Sequence, residues 1–182
     1  LVLGETFHYP EEWSGALDAV LNAHLRTLIL GMLERQISGP RGARLLQGMV
    51  DDCGLDFLLR SWVILGNHDL PRLKNRLPSE WQQRVAQMIQ FCAPGSPCIY
   101  YGDELGMEGG LEPLNRAPMR WDLATNDNPN LLFMRRLIRS RKQSRALRIG
   151  EFRMLDSDRA LAFMRVTDRV EDTRILVANL TD

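Results

Sequence analysis

Trp62-Val63-Ile64-Leu65-Gly66-Asn67-His68-Asp69-Leu70-Pro71-Arg72 is an apolar run that gives way at Gly66 to polar, titratable groups. Trp, Val and Ile suit a pleated strand, and a short run without alternation fits a strand buried on both faces. Gly66 permits a sharp turn where the strand stops. Asn67, His68 and Asp69 then stand at a strand's carboxyl end, where ligands bind and chemistry happens in parallel α/β folds. Two further runs share the pattern: Leu1-Val2-Leu3-Gly4 followed by Glu5, and Cys98-Ile99-Tyr100-Tyr101-Gly102 followed by Asp103-Glu104. One Gly–acid junction is an ordinary turn. Three, separated by helix-like segments, predict one rim that collects acids.

Outward from these runs, the first strand spans about 1–4, and the short apolar Ala19–Asn22 reads as a second. Leu25, Leu28, Ile29, Met32 and Leu33 recur at helical spacing and predict an amphipathic helix over about 24–36. Residues 42–60 read as helix with a break near Gly54. Ser79 with Gln82 has the form of a capping box ahead of a helix over about 79–92. A strand over 98–101 follows, then a Gly-, Pro- and Asn-rich loop over 102–128. Asn128-Pro129 marks the start of a helix to about 143. Strand and helix alternate throughout, which predicts a parallel sheet with crossover helices. After Gly150 the texture becomes an antiparallel meander. The expected division is therefore an α/β unit over 1–148 and the start of a small β domain over 149–182.

The 182 residues suffice for one ordinary domain with a small appendage. Lys+Arg and Asp+Glu both number 23, so nothing in the balance points to nucleic acid or an anionic membrane as partner. Three cysteines, Cys53, Cys92 and Cys98, at irregular spacing argue against a disulfide framework and for free thiols in a reducing compartment. His8, His24 and His68 stand apart, so no metal motif is evident. No run reaches the roughly 18 apolar residues of a membrane span, and no secretory signal is visible, so a cytoplasmic location is expected. Leu1 opens straight into a strand-like run without an initiator Met, which suggests a segment of a longer protein.

Glu5 and Asp69 are carboxylates at the ends of two strands. If those strands are neighbours around a barrel, the acids share a cavity. Paired carboxylates are what glycosidic hydrolysis requires: one protonates the leaving oxygen and another supports the developing positive charge. His68 adds a donor for sugar hydroxyls, and Phe7, Tyr9 and Trp13 offer rings that pack on sugar faces. Gly4-Glu5-Thr6-Phe7-His8, Asn67-His68-Asp69-Leu70-Pro71-Arg72, Pro94 through Met107, and Asn115-Arg116-Ala117-Pro118-Met119-Arg120-Trp121-Asp122 together resemble successive signatures of the α-amylase family, glycoside hydrolase family 13. The segments His8–Trp13 and Met107–Gly110 are similar to its neopullulanase and cyclomaltodextrinase branch.

The resemblance implies the second half of a (β/α)8 TIM barrel, strands five to eight, followed by a partial antiparallel β domain. It implies Glu5 as general acid/base and Asp69 as the second, transition-state carboxylate. His68, Asn67, Arg72, Phe7 and Trp13 would be substrate contacts, on α-glucan or maltooligosaccharide. No cofactor is needed for that chemistry, and a structural calcium is left open. The family's nucleophile, an Asp in a Gly-x-Arg-x-Asp pattern, has no match in these residues. The chain alone is therefore expected to be inactive, and its two open sheet edges predict self-association as a homo-oligomer.

Plainer readings stand beside these. Glu5 could be a polar strand end, Asp69 a turn residue and His68 a buried hydrogen-bonding group. Arg72 is either a partner for a site carboxylate, the favoured reading, or a brace within its loop. Asp103 and Glu104 read as residues that order the following loop. The basic run from Arg135 to Arg148 suits a helix C-terminus better than a nucleic-acid face. A non-catalytic carbohydrate-binding or partner protein on the same fold is the alternative function.

Overall fold

The structure is a computed structural model and describes residues 1–180. Its first sheet is parallel and runs in sequence order: β1 (Leu3–Thr6), β2 (Ala19–Asn22), β3 (Trp62–Ile64) and β4 (Ser96–Cys98). Parallel neighbours cannot be joined by a tight turn, so long crossovers are needed. Helices α1 (Ala23–Leu33), α2 (Gly39–Cys53) and α3 (Leu55–Arg60) fill the crossover from β2 to β3. Helices α4 (Leu73–Arg76) and α5 (Glu80–Cys92) fill the crossover from β3 to β4. Beyond β4 a long loop with three short 3-10 turns leads to α6 (Pro129–Gln143) and α7 (Arg145–Ile149). The second sheet is antiparallel, in the order β5 (Glu151–Met154), β6 (Leu161–Val166), β7 (Arg174–Ala178).

Local chemistry accounts for most of the boundaries. Asn22, Ser38 and Asn128 accept backbone N–H bonds at the starts of α1, α2 and α6, and Pro40 and Pro129 occupy first-turn positions. The break expected near Gly54 is there: at φ 77° the backbone is in a region open to glycine, so α2 ends and α3 begins. Three expectations shift. The first strand, expected over about 1–4, is Leu3–Thr6, so Glu5 lies within it. The Ser79 side chain makes no cap bond, and Gln82 instead donates to the Leu33 carbonyl at 2.8 Å. A tertiary acceptor has taken the group that a capping box would use. The last parallel strand is Ser96–Cys98, earlier than the 98–101 expected, because Val63 pairs in register with Pro97. Proline is tolerated there since β4 has one strand neighbour among the described residues.

One apolar core runs through both sheets. It joins Val20 and Val63 of the parallel sheet, Leu28, Leu46 and Leu58 of the helices, and Phe152, Phe163 and Leu176 of the antiparallel sheet. Helix α2 is the shared wall. At its start a side chain on Gly39 would meet the Leu161 backbone nitrogen at 2.5 Å, so only glycine allows that approach. No helix among the described residues is long and apolar enough to cross a membrane.

Candidate active site

β1 carries Glu5 and β3 leads into Asn67, His68 and Asp69. These strands are not neighbours: β2 lies between them, as it must if the sheet holds barrel strands five to eight in order. Two strand spacings, about 10 Å, must be crossed. The crossing is open because β2 passes straight into α1 at Asn22, with no loop to stand between. Asn67 then spans it, donating from Nδ2 to Glu5 Oε1 at 3.2 Å. Glu5, His68 and Asp69 each present an oxygen or nitrogen atom, all within 4.8 Å of one another. The structure thus brings together four of the residues singled out in the sequence. Three of them, Glu5, His68 and Asp69, are exposed, while Asn67 beneath them is buried. Such a trio could offer ligands to a cation, but Glu5 and Asp69 already accept from Asn67 and Arg116.

The turn itself is tied locally by Asn67, whose Oδ1 accepts from the Asp69 backbone N–H at 3.1 Å. Glycine's freedom is not used here, since Gly66 keeps an ordinary negative φ. His68 Nε2 lies 3.4 Å from Asp69 Oδ1. Arg116, from the loop after β4, reaches the same oxygen at 3.0 Å and donates from Nε to the His68 carbonyl at 2.9 Å. Asn115 beside it is 1% exposed and donates to the His68 and Leu70 carbonyls at 2.7 and 3.2 Å. Asn115 and Arg116 stood in the sequence only as part of a family-like segment. Nothing in their spacing signals a contact 47 positions back along the chain.

Arg72 is placed otherwise than expected. Its side chain is fully buried and faces neither Glu5 nor Asp69. Its guanidinium carbon sits 4.7 Å from the Tyr100 ring centroid and 4.5 Å from that of Tyr101. One Nη donates to the Tyr101 carbonyl and lies 3.7 Å from Asp103. A group with no exposed surface cannot touch a substrate, so here Arg72 braces the turn and is not a substrate contact. Its acid is Asp103, whose side chain is 8% exposed. Burial pushes the Asp103 carboxyl up to about 7; Arg72 pulls it back and Glu104 adds to the rise.

Glu5, Phe7, His8 and Trp13 line an open cavity of about 430 Å³ on the β1 side. Phe7 is exposed and Trp13 is partly buried against the core. Phe7 is therefore free to meet a ligand's face, whereas Trp13 also serves packing.

Comparison with known proteins agrees with this geometry. The family model described as "Alpha amylase, catalytic domain" matches residues 49–145. A cyclomaltodextrinase of a Bacillus species is 31% identical over 98% of this chain and 33% of its own length. An intracellular maltogenic amylase of Bacillus subtilis is 34% identical over 80% of this chain and 26% of its own. The crystal structure of the maltogenic amylase from S. marinus superposes with a TM-score of 0.92 at 31% identity, covering all of this chain and 26% of that one. The chain thus spans between a quarter and a third of the length of these three relatives. Its parallel sheet with helices and its antiparallel sheet are the second half of a (β/α)8 barrel followed by part of a β domain. With the converging Glu5 and Asp69, the matched segment and this superposition, the chain belongs to the α-amylase family of glycoside hydrolases.

Proposed function

We propose that the chain supplies the acid/base part of a retaining glycosidase site for α-glucosidic bonds in maltodextrin-type oligosaccharides. The observation that carries this is the Asn67 bridge, which holds Glu5 against the turn bearing Asp69. Glu5 protonates the leaving glycosidic oxygen and then takes a proton from the attacking water. Asp69 supports the cationic sugar. What favours a supporting role for Asp69 is Arg116: an oxygen held by a guanidinium keeps its charge but is a poorer nucleophile. Asn67 and His68 hydrogen-bond sugar hydroxyls, and Phe7 and Trp13 pack against a sugar face. Side chains alone perform this chemistry and no cofactor is asked for.

The substrate class rests on the relatives' names, cyclomaltodextrinase and maltogenic amylase, joined to this geometry. The covalent step needs a third carboxylate beyond Glu5 and Asp69, so the 182-residue chain binds maltodextrin without cleaving it. Free Cys53, Cys92 and Cys98 suit a reducing, cytoplasmic setting. Strands β1 and β4 are the outer strands of the sheet among the described residues, and such edges invite pairing between copies.

The test is a titration with maltoheptaose followed by amide NMR, beside an assay with a chromogenic maltoside. Perturbation of Glu5, Asn67 and Asp69 signals without product is the expected result. Absence of perturbation at these residues would refute the site, and turnover by the purified chain would refute its inactivity.

A further inference from the structure

We propose that Asn115, backed by Arg72, is a positioning residue that sets the Asn67–Asp69 turn. The turn's function rests on the reading above; its positioning does not.

Within itself the turn has little to hold it. The Leu70 N–H reaches the Asn67 carbonyl only at 3.4 Å, and the Asp69 N–H reaches the Asn67 side chain at 3.1 Å. The rest comes from the loop after β4. The Asn115 amide has two hydrogens, and its nitrogen reaches the carbonyls of His68 at 2.7 Å and Leu70 at 3.2 Å. Those two residues flank Asp69. A single buried amide therefore grips the backbone on both sides of the carboxylate and limits its rotation relative to Glu5. The Asn115 oxygen has no hydrogen-bond partner among the described residues, so the amide is committed to the turn.

Asn115 needs a fixed base, and Arg72 provides one. Its backbone N–H donates to the Gly109 carbonyl at 2.9 Å, and the Gly109 N–H donates to Asn75 Oδ1 at 2.6 Å. Its guanidinium lies against Tyr100 and Tyr101, and the Tyr100 hydroxyl donates to the Asn115 carbonyl at 3.2 Å. Strand end, loop and turn thus form one closed circuit: Arg72 to the tyrosines, Tyr100 to Asn115, Asn115 back to the turn that leads into Arg72. A flat cation that stacks on both rings suits this place better than the point charge of lysine.

The experiment compares Asn115→Ala and Arg72→Lys with the parent chain by amide NMR and hydrogen exchange. Neither readout needs turnover or ligand, so a chain that fails to bind maltodextrin would sink the proposed function and leave this inference standing. In Asn115→Ala the Asp69 backbone amide and the Asn67 side-chain amide should shift. Exchange at Asp69 should rise about tenfold, the scale of one or two lost hydrogen bonds, with amides of β6 unchanged. Arg72→Lys should move the same signals by less. A merely structural role would raise exchange uniformly. Unmoved Asn67 and Asp69 signals, or a uniform rise, overturns the proposal. If Asn115→Ala does not fold, Arg72→Lys decides on the same criterion.

Discussion

Asp103 shows how one residue's surroundings reverse an expectation drawn from its type. Burial lifts its carboxyl from the ordinary 3.8 to about 7 despite Arg72. The folded chain then holds that proton more tightly than the unfolded chain. Its stabilising contribution is complete below about pH 4 and is lost as the pH rises towards 7. Urea midpoints of the parent chain should therefore carry a downward slope across that window, and Asp103→Asn should remove it; parallel pH profiles would contradict the account. Arg116 is a contrasting case. It and Asp69 are both about half exposed, so Arg116→Met should change stability by less than about 1 kcal/mol. Yet the charge-assisted bond orients Asp69, and maltoheptaose affinity should fall about fivefold by calorimetry. Glu5 and Asp69 were legible in the sequence because each comes shortly after an apolar run closed by glycine. Arg72 was misread for a physical reason: an Arg near acids looks like their partner until burial shows which acid it faces.

Among the elements, α6 is the one whose start the sequence states most fully. Asn128 accepts from the N–H groups of Asn130 and Leu131, and its own amide donates to the Leu105 and Leu123 carbonyls at 3.2 and 2.8 Å. Asn128→Ala removes cap and bridge together and should cost about 1–2 kcal/mol in chemical denaturation. The basic run on α6 and α7 proves structural in part. Arg141 donates to the Phe91 and Gly95 carbonyls just where α5 ends, and Arg145 pairs with Asp168 at 2.7 Å. Arg165 of β6 is fully buried and donates to the Cys92, Leu147 and Gly150 carbonyls. Burial pushes both Arg141 and Arg165 down to about 10. Three carbonyls would be left short of a donor by Arg165→Met, which should destabilise the chain by about 2–3 kcal/mol. No periodicity could have announced Arg165, since an arginine inside an apolar strand run reads as an outward-facing residue.

At the scale of the whole molecule, residues 1–148 and 149–180 share one apolar core through α2. Thermal unfolding of the chain should accordingly be a single transition, with probes in β3 and β6 melting together; separate midpoints would show independent units. Sedimentation velocity should show concentration-dependent association through the outer strands β1 and β4, and a monomer at all concentrations would refute that pairing. The sequence alone determined the alternation of strand and helix, the Asn128 cap, the change of texture after Gly150 and the two acids, because these are written in neighbouring residues and short periods. Only the tertiary structure decided that Glu5 and Asp69 meet across an intervening strand. It also decided that Asn115 and Arg116 hold the turn and that Arg72 serves beneath it. Those facts depend on contacts between residues far apart in the chain, on burial, and on which donor finds which carbonyl once the sheet has formed.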